Sequence, residues 1–151
     1  VRAVIRRLGL LALLALPACG GSDEAPRADP PPVCEPGVPV PSGFEPLDTF
    51  EEPYADHVGV RLGFRDDERR ELHILAGIPG EFGEGTTPAG ELDLTQGRTG
   101  RLYEGVEGVW IVVWEEDDPC DPRVVIANRF TRDAFLDALV DAGLVPPNVD
   151  A

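Results

Sequence analysis

The chain has 151 residues, 27% of them charged, with 13 Arg and no Lys set against 28 Asp and Glu for a formal net charge of −15. That length supports one domain with flanking segments. The acidic balance excludes a nucleic-acid partner, because phosphate binding needs a basic face, and excludes a polybasic membrane patch on the folded part.

Arg2, Arg6 and Arg7 precede an apolar run over residues 8–16, and Pro17 and Ala18 lead into Cys19. Residues 1–18 read as a secretory signal: a positive start, an apolar middle and a small residue at the cleavage point. A run of about nine apolar residues is too short for a ~30 Å hydrocarbon core, which takes about 20. A buried helix or a short membrane anchor is the competing reading, but two Gly and a polar, Pro-rich stretch follow at once. Leu16-Pro17-Ala18-Cys19 resembles the lipobox of bacterial lipoproteins. Leu at −3 and Ala at −1 fit it, while Pro17 stands where a small or β-branched residue is usual. The resemblance implies cleavage before Cys19, a diacylglycerol thioether on its thiol, and anchoring on the extracytoplasmic side of the cell membrane. At ~0.8 kcal/mol per buried CH₂, two or three acyl chains such as palmitate hold stably where one does not. Arg6-Arg7 also suggests twin-arginine export, although Gly9 stands where that signal has an apolar residue. Val1, in a chain without Met, is expected to be an alternative start codon read literally.

The cysteines at 19, 34 and 120 are the only three. If Cys19 carries lipid, two are left, and an exported protein makes disulfides, so Cys34 is expected to bond Cys120. The loop closed would be roughly 87 residues, stabilising by about 4–5 kcal/mol in the chain-entropy model. The competing reading is two free thiols. A metal pair is disfavoured, because neither Cys has a second Cys or a His at ligand spacing.

Residues 19–41 read as a disordered, Pro-rich tether. Residues 20–41 hold seven Pro among Ser, Asp and Glu, and cannot bury enough apolar surface to fold. Removing the signal would also remove three of the 13 Arg, leaving 10 against 28 acidic residues, a net charge of −18. A single α+β domain is expected over 42–146, with a disordered tail at 147–151. Phe44, Leu47, Phe50 and Tyr54 recur at three- to four-residue spacing, which predicts a short helix or turn. Alternation at Val58, Val60, Leu62 and Phe64, then at Leu72, Ile74, Ala76 and Ile78, predicts a hairpin turning at residues 65–68. A Gly-rich loop follows over 79–90. Leu92 and Leu94 carry a third strand, residues 101–103 a fourth after a turn over 97–100, and residues 109–114 a fifth. The fifth is apolar on both faces and so interior to the sheet. Residues 124–127 form the last strand. Thr131 is a good N-cap for a helix over 132–142 with Phe135, Leu136, Leu139 and Val140 as its buried stripe and Gly143 as its stop. The sum is an α+β layer: an antiparallel five- or six-stranded meander with a C-terminal helix packed on one face.

Residues 92–144 run through an apolar strand, a Gly-bearing turn, a Trp-rich strand, a short turn, another strand and a Thr-capped helix. This pattern resembles the small sheet-plus-helix C-terminal modules of anti-sigma-factor-like envelope proteins, and more distantly the Lol/RseB lipoprotein-carrier fold. The resemblance implies a binding or accessory role in the cell envelope and carries over no active-site residue.

No catalytic residue, metal site or cofactor is expected. With the hairpin turning near Asp67, His57 and His73 are expected towards its open end. There, with a carboxylate, Asp56 or Glu71, they could hold zinc, but no third ligand is placed by a helix repeat and strand-surface histidines are common. Ser22 and Ser42 are the only serines and lie in or beside the tether, so a Ser-His-Asp set lacks its nucleophile. Glu115, Glu116, Asp117, Asp118 and Asp121 place five carboxylates in seven residues, read as a solvated turn with weak cation binding as the alternative. Trp110, Val112 and Trp114 share one face of the fifth strand. The helix is expected on the opposite face, over Val109, Ile111 and Val113. Residues 44–54 are then expected to lid the Trp face; failing that, it is a groove for a hydrophobic ligand or an envelope protein. The function expected is a membrane-anchored, non-catalytic binding or accessory lipoprotein; the alternative is an envelope hydrolase or metal-dependent enzyme.

Overall fold

The computed structural model describes residues 29–82 and 84–147. The segment read as a signal, Cys19 with its expected lipidation, residues 20–28 of the segment read as a tether, and the tail from 148 lie outside the described residues. Seven strands form in chain order: β1 (Glu45–Pro53), β2 (Val58–Arg65), β3 (Glu71–Ala76), β4 (Thr87–Leu94), β5 (Arg98–Glu104), β6 (Trp110–Trp114) and β7 (Arg123–Asn128). The helix α1 (Arg132–Asp141) follows. All strands join one antiparallel sheet in the order β1-β2-β3-β7-β6-β5-β4.

The α+β class and the C-terminal helix agree with the sequence reading, but the strand count is seven rather than five or six. The added strand is β1, where the spacing of Phe44, Leu47, Phe50 and Tyr54 suggested a helix. Eight of its nine residues are exposed, so the spacing reflects no buried stripe. Pairing with β2, from Glu45↔Arg65 to Pro53↔Val58, decides the conformation instead. The sheet is also not one continuous meander. Strands β1–β3 and β4–β7 are two meanders, joined where β7 returns to pair with β3. The turn placed at 97–100 lies at Thr95–Gly97, and Gly100 is inside β5.

One face of the sheet carries Phe64, Leu72, Ile74, Leu102, Trp110, Val112, Trp114, Val125 and Ala127, packed against Phe135, Leu136 and Leu139 of α1. The helix therefore covers the Trp face, the reverse of the expected arrangement. Because β6 is apolar on both faces, alternation alone does not say which face the helix takes. The helix side has room for bulk: Gly100 on β5 lies against Val112, and a Cβ there would come 2.7 Å from the Val112 methyl. Thr131 caps α1 through its hydroxyl, which accepts from the Ala134 N–H at 3.3 Å. At the other end Gly143 takes φ +69°, and Leu144 N–H donates back to the Leu139 carbonyl at 2.9 Å. That closure folds Leu144 and Val145 into the core.

Part of the segment read as a disordered tether is bonded into the fold. The Val58 N–H donates to the Pro32 carbonyl and the Cys34 N–H to the Val58 carbonyl, both at 2.8 Å. Cys34 is buried and disulfide-bonded to Cys120, with 5.4 Å between Cα atoms. Val38 and Phe44 pack on the core, and the Ser42 N–H donates to Asp141 of α1 at 2.5 Å. A Pro-rich composition reads as unfolded on its own, but a covalent bond and strand hydrogen bonds organise residues 32–44.

Replacing Cys34 and Cys120 together by Ala is expected to lower unfolding free energy by about 4–5 kcal/mol at most, measured as a urea midpoint shift. Phe135→Ala, which empties a fully buried site under the sheet, is expected to cost about 3–5 kcal/mol in the same assay.

Candidate functional site

The side chains singled out in the sequence do not converge. Trp110, Val112 and Trp114 retain 6%, 0% and 3% of their exposure, so the predicted ligand groove is the hydrophobic core itself. The lid placed over it at 44–54 is elsewhere: β1 lies at the sheet edge, and only Phe44 reaches the core, stacked on Phe130 at 6.2 Å. The two histidines are apart. His73 pairs with Gly63 in the middle of the hairpin, six residues along from His57, about 20 Å of strand. Among the described residues no group of three His, Cys, Asp or Glu side chains gathers as a metal site.

His57 is a structural group. Its Nδ1 lies 2.7 Å from an Asp56 carboxylate oxygen and its Nε2 2.7 Å from the Gly77 carbonyl. Both partners only accept hydrogen bonds, so making both bonds at once requires the imidazolium. The Gly77 carbonyl, then the Asp56 carboxylate, raise the His57 pKa above its ordinary value against the opposing effect of burial. In return His57 lowers that of Asp56. Gly77 sits at φ +65°, and an added Cβ would meet the Cys34 sulfur at 2.6 Å. The Gly77 N–H donates to the Cys120 carbonyl at 2.6 Å. His57, Gly77 and the disulfide are thus one packed knot at the end of β3.

The acidic turn after β6 is only partly solvated. Glu115, Glu116 and Asp117 are exposed as expected, but Asp118 and Asp121 are half-buried. Trp114 Nε1–H donates to Glu116 at 3.0 Å, and Arg98 donates to the same oxygen. The Trp114 bond, then Arg98 and Arg123, hold the Glu116 carboxyl below the usual range against the opposing effect of partial desolvation. Arg123, itself buried, donates to Asp118 at 2.7 Å and to the Glu35 carbonyl of the N-terminal strap. Asp121 accepts from the Glu116 and Asp118 N–H groups at 2.8 and 3.2 Å. Three of the five carboxylates of this turn thus have hydrogen-bonded partners.

What remains open is the face opposite α1. Leu75, Ile111, Val113 and Val124 form a small second cluster there, with Ile78, Phe82, Tyr103, Val109 and Ile126 half-buried around it. No helix covers it. The loop between β3 and β4 bends over one part and places Ile78 and Phe82 on the sheet. Between this loop and β5 lies a cleft of about 400 Å³ lined by Pro79, Phe82, Arg101, Tyr103, Val113 and Glu115, among others. A second hollow of about 350 Å³ shares Arg101, Val113 and Glu115 and extends to Glu91 and Thr99. Cross-strand register explains the grouping: Arg101 pairs with Val113 on one side and Glu91 on the other. The Arg101 guanidinium lies 3.7 Å from the Glu115 carboxylate, and both side chains are mostly exposed.

The sequence reading missed this cleft. Thr99, Arg101 and Tyr103 do alternate with the buried Gly100 and Leu102, which marks a second face. Phe82 lies in the stretch read as a Gly-rich loop, and nothing local signals that it packs on the sheet. No protein-family model, curated protein or solved structure matches the chain.

The raised His57 pKa gives a signed pH dependence. Its stabilising contribution is fully present below the unfolded-state value of about 6.5 and is lost as pH rises through the higher folded-state value. The stability difference between the wild type and His57→Gln is therefore expected to be largest on the acid side of neutrality and to shrink above it. Urea unfolding of both proteins across that range measures it.

Proposed function

We propose that this chain is a lipid-anchored extracytoplasmic protein with a non-catalytic binding role, exercised through the helix-free face of its sheet. The observation that carries the reading is the Cys34–Cys120 disulfide. It uses two of the three cysteines and leaves the third, Cys19, alone behind Leu16-Pro17-Ala18. Disulfides persist outside the reducing cytosol, and the lone Cys stands where the lipobox-like motif would be cleaved and acylated.

The anchor and the fold have complementary demands. A domain carrying a net negative charge is not drawn onto an anionic bilayer surface by its own side chains, so attachment falls to the acyl chains. Among the described residues, Pro32 is the first whose backbone bonds to a strand. Residues 20–31 then serve as spacer, reaching about 35–40 Å at ~3.1 Å per residue when fully extended. A binding role suits the site, because the helix-free face offers a shallow cleft with Phe82, Tyr103 and Val113 in its lining and charged groups at its margin.

Expression of the full chain in a bacterial host, followed by membrane fractionation and intact-mass measurement, tests the anchor. The expected product lacks residues 1–18 and carries added acyl mass, and Cys19→Ala is expected to abolish the acyl mass and the processing together. Membrane-extracted protein that retains its leader and gains no acyl mass would overturn the reading.

A further inference from the structure

We propose that the cleft on the helix-free face takes a cationic segment of a partner protein, an Arg or Lys side chain beside an apolar one. This rests on the reading that this face is the binding surface.

The floor of the cleft is apolar. Val113 is nearly fully buried at its base, and Phe82 and Tyr103 are half-buried at its sides. The margin is acidic. Glu115 lines the cleft, Glu91 lines the adjoining hollow, and Glu81 stands exposed in the loop that forms the near wall. Among the described residues the one basic side chain lining either hollow is Arg101, and it is flanked by carboxylates, with Glu115 at 3.7 Å and Glu91 as its cross-strand partner. The margin therefore has an excess of negative charge after Arg101 is satisfied.

An apolar floor with aromatic walls accepts the stem of a long basic side chain, and the carboxylates accept its head. A cation here gains hydrogen bonds to exposed carboxylates that lack a full set of partners. Other occupants fit less well. Nucleic acid and anionic lipid headgroups meet like charge. A second copy of this chain brings another −15. An acyl chain gains most from an enclosed apolar cavity, whereas this cleft is shallow and charged at its edge.

The test uses the full processed chain in nanodiscs of zwitterionic phosphatidylcholine, which do not themselves attract basic peptides. Three synthetic peptides of equal length serve as probes: alternating Arg and Leu, alternating Glu and Leu, and alternating Arg and Ser. Binding is read by fluorescence anisotropy of labelled peptide and by NMR shifts of the Val113 methyls and the Tyr103 amide. The Arg–Leu peptide is expected to bind saturably with shifts at both residues, and at least about tenfold more tightly than the other two. Tyr103→Ser and the surface pair Glu91→Gln with Glu115→Gln are each expected to weaken it by about fivefold or more while the thermal midpoint is retained. The glutamine pair changes no buried group, so it remains informative even if Tyr103→Ser unfolds the protein. Equal binding of the Glu–Leu peptide at Val113 and Tyr103 would overturn the charge assignment while leaving the face as the binding surface. Binding of the Arg–Leu peptide without shifts in the cleft, or unaffected by the glutamine pair, would overturn the site. No peptide moving the cleft resonances, while neutral hydrophobic ligands do, would overturn the proposal and leave the broader reading in place.

Discussion

Strands β3 and β7 come from distant parts of the chain, yet they pair over six residues, from Glu71↔Asn128 to Ala76↔Arg123. Without this pairing the chain is two separate meanders, each with a raw edge. With it there is one sheet whose central strands are buried on both faces, and Leu72, Ile74, Val125 and Ala127 stand side by side beneath α1. Long-range strand pairing carries a loop-closure cost before it is rewarded. The Cys34–Cys120 bond and the Gly77 N–H to Cys120 carbonyl bond act at the end of this same seam. The staple therefore reinforces the junction on which both halves of the sheet depend.

The joined sheet then has two unlike faces. One holds the large aromatic residues of β6 and is closed by the helix, so it is committed to stability. The other has a small apolar cluster, a loop folded over part of it and a charged margin. A face that is apolar enough to bind yet left without a helix is the natural place for a partner. On the proposed reading, the protein keeps its two tryptophans out of solvent and presents Tyr103, Phe82 and a ring of carboxylates instead.

The acidic composition also has structural uses. Glu116 gathers Trp114, Arg98 and Arg123 into one network, and Arg123 links it to the strap at Glu35. Asp141 holds the strap at Ser42, and Asp56 fixes His57 against Gly77. These carboxylates organise backbone around the disulfide, while Glu81, Glu91 and Glu115 remain exposed. On the proposed reading, the same residue type serves both architecture and recognition.

Local periodicity determined much of the chain by itself. Alternation at Val58–Val60–Leu62–Phe64 and Leu72–Ile74–Ala76, the two-sided apolar run at 110–114, and the Thr131 cap with Gly143 as stop all correspond to the structure, because each is a property of a few neighbouring residues. The cysteine count pointed to the disulfide that forms between Cys34 and Cys120. Tertiary structure alone decided the rest. An edge strand such as β1 buries almost nothing, so it leaves no pattern to read; its conformation comes from β2. Which side of β6 meets the helix, and hence that Trp110 and Trp114 are core rather than groove, depends on volumes contributed by β5 and α1. The cleft draws Phe82, Tyr103, Val113 and Glu115 from a loop and two strands, and only the register of the folded sheet places them together.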